Sequence, residues 1–132
     1  MIDKMNILII VLIIISGLCR GLREVIQFRY NNFKQVFPKI NDFWWNPQIS
    51  WKNKYEDEDP TKGEKFLFST TLFVFVTDAF HFLAFLEHLF IFTVIGLILL
   101  ILLNNIIGII IGYLLWMIFS LSNNIIMKIF NL

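Results

Sequence analysis

The feature that most constrains this chain is an almost continuously apolar stretch from Phe66 to Leu132, preceded by a shorter apolar run over residues 5–22. A helix that crosses a membrane needs roughly 17–25 such residues. Hydrophobic residues make up 58% of the 132 residues and charged residues only 16%, whereas soluble chains carry about 25% charged residues. A soluble fold of this length has too little interior for so much apolar surface. The sequence therefore predicts an all-α integral membrane protein.

The apolar runs predict three transmembrane helices within a single membrane domain that covers residues 1–132. The first span is residues 5–22, interpreted as an uncleaved helix rather than a signal peptide. The second is one long helix over residues 66–103, which begins outside the hydrocarbon, and the third is residues 106–121 after a tight turn at Asn104-Asn105. The alternative has four spans, because 38 residues are too many for one ordinary crossing. In that case the chain would turn near Glu87-His88.

The polar part of the chain is residues 20–65, which hold nine of the eleven Lys and Arg residues. Loops rich in Lys and Arg stay on the cytoplasmic side of a membrane. We therefore expect a multi-pass protein of a bacterial inner membrane, with this loop in the cytoplasm and residues 23–65 forming an amphipathic, interfacial segment. Its aromatic cluster FWWNPQISWKNKY, residues 43–55, is typical of a membrane–water boundary. A net charge of +1 gives no reason to expect nucleic acid as a partner.

A second set of polar residues lies inside the apolar stretch. If residues 66–103 form one helix, most of its polar residues share one face; the members of this face are Thr70, Thr77, Asp78, His81 and His88. Ionisable groups at membrane depth face a protein interior, a cavity or a partner. We call this set the polar seam, and Glu87, which points almost half a turn away from Asp78, does not belong to it.

Three interpretations of the polar seam stay open. It is a hydrogen-bonded helix interface, a proton or ion pathway through Asp78 and His81, or a metal or haem site of a membrane-embedded enzyme with the same two residues as candidate ligands. His81 and His88 lie about 10.5 Å apart along a helix, so the two cannot ligate one small metal ion together. No metal or other cofactor is therefore predicted.

The last apolar segment contains GIIIG, a small-xxx-small pattern that lets two helix backbones approach closely. A row of mostly small or polar residues recurs at every fourth position and predicts a helix-packing face; its members are Asn104, Gly108, Gly112, Trp116, Ser120 and Asn124. The pattern leaves open whether this face packs on the same chain or on a second copy.

Two stretches, FWWNPQISWKNKY and STTLFVFVTDAFH, resemble a family of small, uncharacterised integral membrane proteins of Bacteroidota, over about a third of the chain. The resemblance implies that the aromatic loop and the residues around Asp78 act together, and it implies no catalytic activity. We therefore expect the loop to fold over the polar seam, with candidate partners for a buried carboxylate in the loop; these are Asn46, Trp51, Asn53 and Lys54.

The function expected from the sequence is that of a structural or accessory subunit, or of a homo-oligomeric scaffold, rather than of an enzyme. Its expected partners are the lipid bilayer and either further copies of itself or another protein of a membrane complex. The alternatives are a component of a proton or ion pathway and a metal- or haem-binding membrane enzyme.

Overall fold

A computed structural model describes residues 2–129, and the predicted all-α class is confirmed. The α-helices are α1 (Ile2–Phe28), α2 (Tyr30–Val36), α3 (Asp42–Trp45), α4 (Pro47–Ser50), α5 (Ala79–Leu103) and α6 (Ile107–Ile129). Short 3₁₀ turns cover Trp51–Lys54, Glu56–Glu58, Pro60–Lys62 and Val74–Val76. Within the described range the structure has no β-strand, and one isolated bridge pairs Tyr55 with Glu64.

Two of these helices are long and apolar enough to cross a membrane. The qualifying segments are Lys4–Phe28 of α1 and Ala79–Leu103 of α5, each of 25 residues, with mean hydropathies of 2.3 and 2.6. A shorter apolar stretch, Ile107–Ser122, lies in α6. Apolar side chains along these helices face outward; Ile7 of α1 is 61% exposed and Leu102 of α5 is 73% exposed.

The long helix predicted over residues 66–103 is shorter than expected, because α5 begins at Ala79. Residues 66–78 form turns instead, and Phe68 has a positive φ of 62° that no helix tolerates. Local side chains hold this conformation, since the Ser69 hydroxyl donates to the backbone oxygen of Lys54 at 2.6 Å and the Glu64 carboxylate accepts from the backbone N–H of Phe68 at 3.0 Å. Such bonds compete with the helical ladder.

By its internal contacts the described chain divides into two compact units, residues 17–87 and residues 1–16 with 88–132. In the second unit, α5 and α6 are joined by a turn at Asn104–Ile106. Asn104 has a φ of 49°, a left-handed conformation that asparagine adopts more readily than most residues. The Asn105 side-chain oxygen accepts from the backbone N–H of Ile107 at 3.0 Å and thereby caps α6.

Helices α5 and α6 pack closely where glycines remove the side chains between them. A Cβ atom built on Gly112 would lie 2.7 Å from the Cα of Gly96, and one built on Gly108 would overlap the backbone of Leu99 and Leu100. One turn beyond, the Trp116 ring stacks on Phe92 with centroids 6.4 Å apart. The small face of α6 therefore packs against α5 of the same chain, whereas Asn104 lies in the turn.

The unit of residues 17–87 contains the C-terminal part of α1, the short helices α2, α3 and α4, and the start of α5. Its buried apolar side chains include Ile26 and Phe33, and the Phe33 ring lies 5.5 Å from that of Trp45. At the edge of this cluster the Asp42 carboxylate accepts hydrogen bonds from the Lys34 ammonium and, at 2.5 Å, from the Tyr30 hydroxyl. These two donors, Lys34 foremost, hold the pKa of Asp42 below its usual range, while burial and the carboxylate together raise that of Tyr30.

Candidate functional site

Asp78 is the most buried ionisable side chain of the polar seam, with 1% of its surface exposed. Its Oδ1 accepts a hydrogen bond from the backbone N–H of His81 at 2.9 Å, and its Oδ2 lies 2.7 Å from Nδ1 of the His81 ring. The Thr77 hydroxyl oxygen lies 3.2 Å from the same Oδ2. The carboxylate therefore holds both the main chain and the ring of His81.

The position of Asp78 explains why an acid stands in an apolar sequence. The first four N–H groups of a helix have no partner within the helix, and at the buried start of α5 they would be costly to leave unpaired. A bond from a side-chain oxygen to the third helical N–H is the usual N-cap solution, and His81 occupies that third position. Asp78 is thus the N-cap of α5, and the cap also orients the only histidine nearby.

The aromatic loop reaches the peptide that precedes Asp78. The Asn53 amide nitrogen donates to the backbone oxygen of Phe43 at 2.6 Å and to that of Thr77 at 3.1 Å. Asn53 itself is only 3% exposed. One buried amide therefore joins α3 to the start of α5. The loop and the polar seam touch through this main-chain contact and not through a contact with the carboxylate.

A cleft of about 300 Å³ opens beside the Asp78–His81 pair. One stretch of the loop, the end of α1 and the start of α5 form its wall; the lining residues are Gln27, Pro47, Gln48, Ser50, Trp51, Asp78, Phe80 and His81. The His81 side chain is 30% exposed and Trp51 is 40% exposed. All of these residues belong to the unit of residues 17–87.

The other predicted partners in the loop have local roles. The Asn46 side chain accepts from the backbone N–H of Gln48 at 3.1 Å and caps α4. The Lys54 ammonium lies over the ring of Tyr55, 5.4 Å from its centroid. Neither side chain bonds to Asp78, since each contacts a neighbouring residue of the loop instead.

The predicted seam does not form one helical face, since Thr70 and Thr77 precede α5. Thr70 donates its hydroxyl to the Glu64 carboxylate in the turn, and Thr77 donates to the backbone oxygen of Val74 at 2.7 Å. His88 belongs to the other compact unit, where its ring lies 5.1 Å from that of Phe119. Only Asp78, His81 and Thr77 of the predicted seam come together.

Metal binding needs at least three suitable side chains in one place. In the part of the chain that the structure describes, no such group of His, Cys, Asp or Glu occurs. The Asp78–His81 pair by itself has the geometry of an oriented imidazole, with Nδ1 directed to a carboxylate and Nε2 left for another group.

The structure contains an ion pair near the start of α5 that the sequence analysis does not predict. An Arg23 guanidinium nitrogen of α1 lies 2.8 Å from a Glu87 carboxylate oxygen, and the two side chains are 23% and 13% exposed. The same guanidinium lies 5.5 Å from the centroid of the Phe80 ring. The sequence feature that could have indicated this pair is Glu87, an acid in an apolar helix that points away from Asp78. Such a charge needs a partner of opposite sign.

Comparisons of the chain with protein-family models, with curated proteins and with solved structures gave no match.

The hydrogen bonds of Asn53 predict that alanine substitutions at two neighbouring loop residues, Asn53 and Lys54, differ in their effect on stability. Asn53→Ala removes the amide that bonds Phe43 and Thr77, and we expect it to lower the free energy of unfolding by about 1–2 kcal/mol because buried carbonyl groups lose their donor. Lys54→Ala removes only a cation over a tyrosine ring, so we expect a change below about 0.5 kcal/mol. Denaturant unfolding followed by tryptophan fluorescence measures both. Equal losses in the two variants would show that Asn53 does not join the loop to α5.

Proposed function

We propose that the protein is an integral membrane protein. The observation that carries this proposal is the outward exposure of apolar side chains on the two long helices, where only 11% of the qualifying window of each is buried. A water-soluble helix of this hydropathy would be buried on most sides. Exposed apolar patches of this extent fit a bilayer.

The proposed topology has three spans, α1, α5 and α6, in a bacterial inner membrane. The clustering of Lys and Arg in residues 20–65 supports a cytoplasmic position for that segment. The turn at Asn104–Ile106 then lies on the opposite side. The interfacial role of the aromatic loop is supported by Trp51, which is partly exposed and stands at its edge.

Within that membrane protein we propose a structural or accessory role, as a subunit or scaffold with lipid and other membrane proteins or further copies as partners. The contacts of Asp78 support it, because they serve the start of α5. A proton pathway would use the same pair, and the oriented ring of His81 is the observation that favours this second candidate. The likeness to small membrane proteins of Bacteroidota fits either role and stays a prediction.

Cysteine labelling tests the topology directly. In a Cys19→Ser background, which removes the single native cysteine, Asp57→Cys and Asn105→Cys place one thiol in each exposed turn. We expect a membrane-impermeant maleimide to label Asn105→Cys in intact cells and Asp57→Cys only after the inner membrane is opened.

Two results would contradict the proposal. Release of the protein from membranes by alkaline carbonate would remove the integral-membrane assignment. Labelling of Asp57→Cys in intact cells would reverse the orientation, and labelling of both positions from one side would remove α5 as a span.

A further inference from the structure

The cleft beside His81 has a chemistry that selects among ligands. Among the eight described residues that line it there is no Lys or Arg, so an anion finds no counter-charge. The one acid, Asp78, is 1% exposed and is engaged by His81 on both oxygens, so a cation cannot reach it. The remaining polar lining groups are uncharged amides and a hydroxyl; they belong to Gln27, Gln48 and Ser50. The cleft therefore suits a neutral ligand.

His81 offers that ligand a hydrogen-bond acceptor. An ionised carboxylate only accepts hydrogen bonds, so the 2.7 Å contact with Asp78 places a proton on Nδ1 of the His81 ring. In the neutral form of this ring the other nitrogen, Nε2, carries a lone pair. The backbone bond from His81 to Oδ1 of Asp78 prevents the pair from separating without loss of the helix cap. A group that donates an O–H is the complement of this nitrogen.

Ser50 supplies a second, independent observation at this cleft. Its side chain is only 1% exposed, and within the described residues its Oγ has no hydrogen-bond partner. A buried hydroxyl without a partner is costly, and native structures rarely leave one. Ser50 lines the same cleft as His81, so a ligand in the cleft would satisfy it.

The apolar part of the wall limits the shape of the ligand. The Trp51 and Phe80 rings and Pro47 line the cleft together with the polar groups. A flat ring with a hydroxyl on its edge presents an apolar face to such walls and a donor to His81. A volume of about 300 Å³ is at the lower end of ligand sites and holds a single ring.

We propose that this cleft binds a neutral aromatic ring bearing a hydroxyl group, such as a phenol or a quinol head group. The hydroxyl donates to Nε2 of His81, and the ligand also bonds Oγ of Ser50. A quinol head group would reach the cleft from the membrane and a simple phenol from water, and the shared chemistry is the ring hydroxyl.

The test uses the full-length protein in lipid nanodiscs with isotopically labelled histidine. The chain has only two histidines, His81 and His88, and His88 serves as an internal control. Phenol is titrated while the ring signals are recorded by NMR, and anisole, whose oxygen cannot donate, is the matched control probe. We expect phenol to shift His81 saturably and to leave His88 unchanged, with anisole weaker by about tenfold, the worth of one good hydrogen bond.

Variants test the second contact. Ser50→Ala should weaken phenol binding about threefold to tenfold, whereas Ser122→Ala, an exposed hydroxyl in α6, should leave it unchanged. Two probes distinguish a ligand that enters from the membrane from one that enters from water. A decyl-substituted hydroquinone in the bilayer is compared with hydroquinone in water. The probe that saturates the NMR shift of His81 at the lower concentration shows from which side the ligand enters.

Three results would overturn the proposal. The first is no saturable shift of His81 with any of the hydroxyl-bearing probes. The second is equal binding of phenol and anisole, which would show that no hydroxyl is recognised. The third is a Ser50→Ala variant that keeps its tryptophan fluorescence and binds phenol as tightly as the native protein.

Discussion

Gly112→Leu separates α5 from α6 and is expected to cost about 3 kcal/mol or more in the free energy of unfolding. Even the first carbon of the new side chain would stand 2.7 Å from the Cα of Gly96 and 2.8 Å from the backbone oxygen of Phe92. Both obstacles are main chain, so no rotamer change relieves the overlap. Unfolding in a denaturing detergent, followed by tryptophan fluorescence, measures the loss.

Gly17→Leu in α1 is the matched control, because nothing lies within 4 Å of a Cβ at Gly17. Replacing a helical glycine with leucine also improves helix propensity by about 0.5–1 kcal/mol. We therefore expect the control to be at least as stable as the native protein. If Gly112→Leu is equally stable, the close approach of Gly112 to Gly96 does not exist in the folded protein.

Asp78→Ala is expected to lower the free energy of unfolding by about 3 kcal/mol, from the lost helix cap and from a ring nitrogen left without a partner. The cap alone accounts for the bond to the backbone N–H of His81 at 2.9 Å. The rest comes from the contact to Nδ1 at 2.7 Å. Denaturant unfolding and protease digestion between residues 66 and 78 measure the effect.

Asp78→Asn separates the two roles of the carboxylate. Asparagine caps a helix about as well as aspartate, so we expect most of the stability to remain. The negative charge beside His81 is lost, and the His81 ring signal in NMR should shift. If Asp78→Asn is as unstable as Asp78→Ala, the charge and not the cap holds the start of α5. Lost proton flux in a stable Asp78→Asn protein would favour the pathway function.

The helical class and the turn before α6 follow from the sequence because they depend on local signals. Long apolar runs favour helices, because a helix satisfies its own backbone hydrogen bonds, and Asn104-Asn105 is a polar break where a hairpin fits. Asparagine also supplies both the left-handed residue and the cap that the turn needs. These properties belong to residues adjacent in the chain.

The predicted start of this helix, residue 66, is wrong by thirteen residues, because α5 begins at Ala79. The error has a physical reason. Hydrophobic periodicity in residues 66–78 looks the same whether the backbone is helical or not. Glu64 and Ser69 decide the matter by bonding to backbone groups in the turn. The sequence pattern places Asp78 on a helical face, although an aspartate directly before an apolar run is equally typical of an N-cap.

The candidate site could be predicted only in part, because most of its contacts join residues distant in sequence. The sequence pointed to Asp78 and His81 and to a loop beside them, and Asn53 does bond to the peptide of Thr77. Ser50 carried no signal, since an isolated serine next to tryptophan is common in any loop. Arg23 and Glu87 are ordinary charges until the fold brings them within 2.8 Å.

The Arg23–Glu87 pair also sets an order of events during synthesis. Arg23 leaves the ribosome with α1, and Glu87 follows only after the whole loop has been translated. At about 5–20 residues per second this interval lasts roughly 3–13 seconds. During that interval Arg23 lacks its acidic partner, and a chain that ends before residue 87 never acquires it.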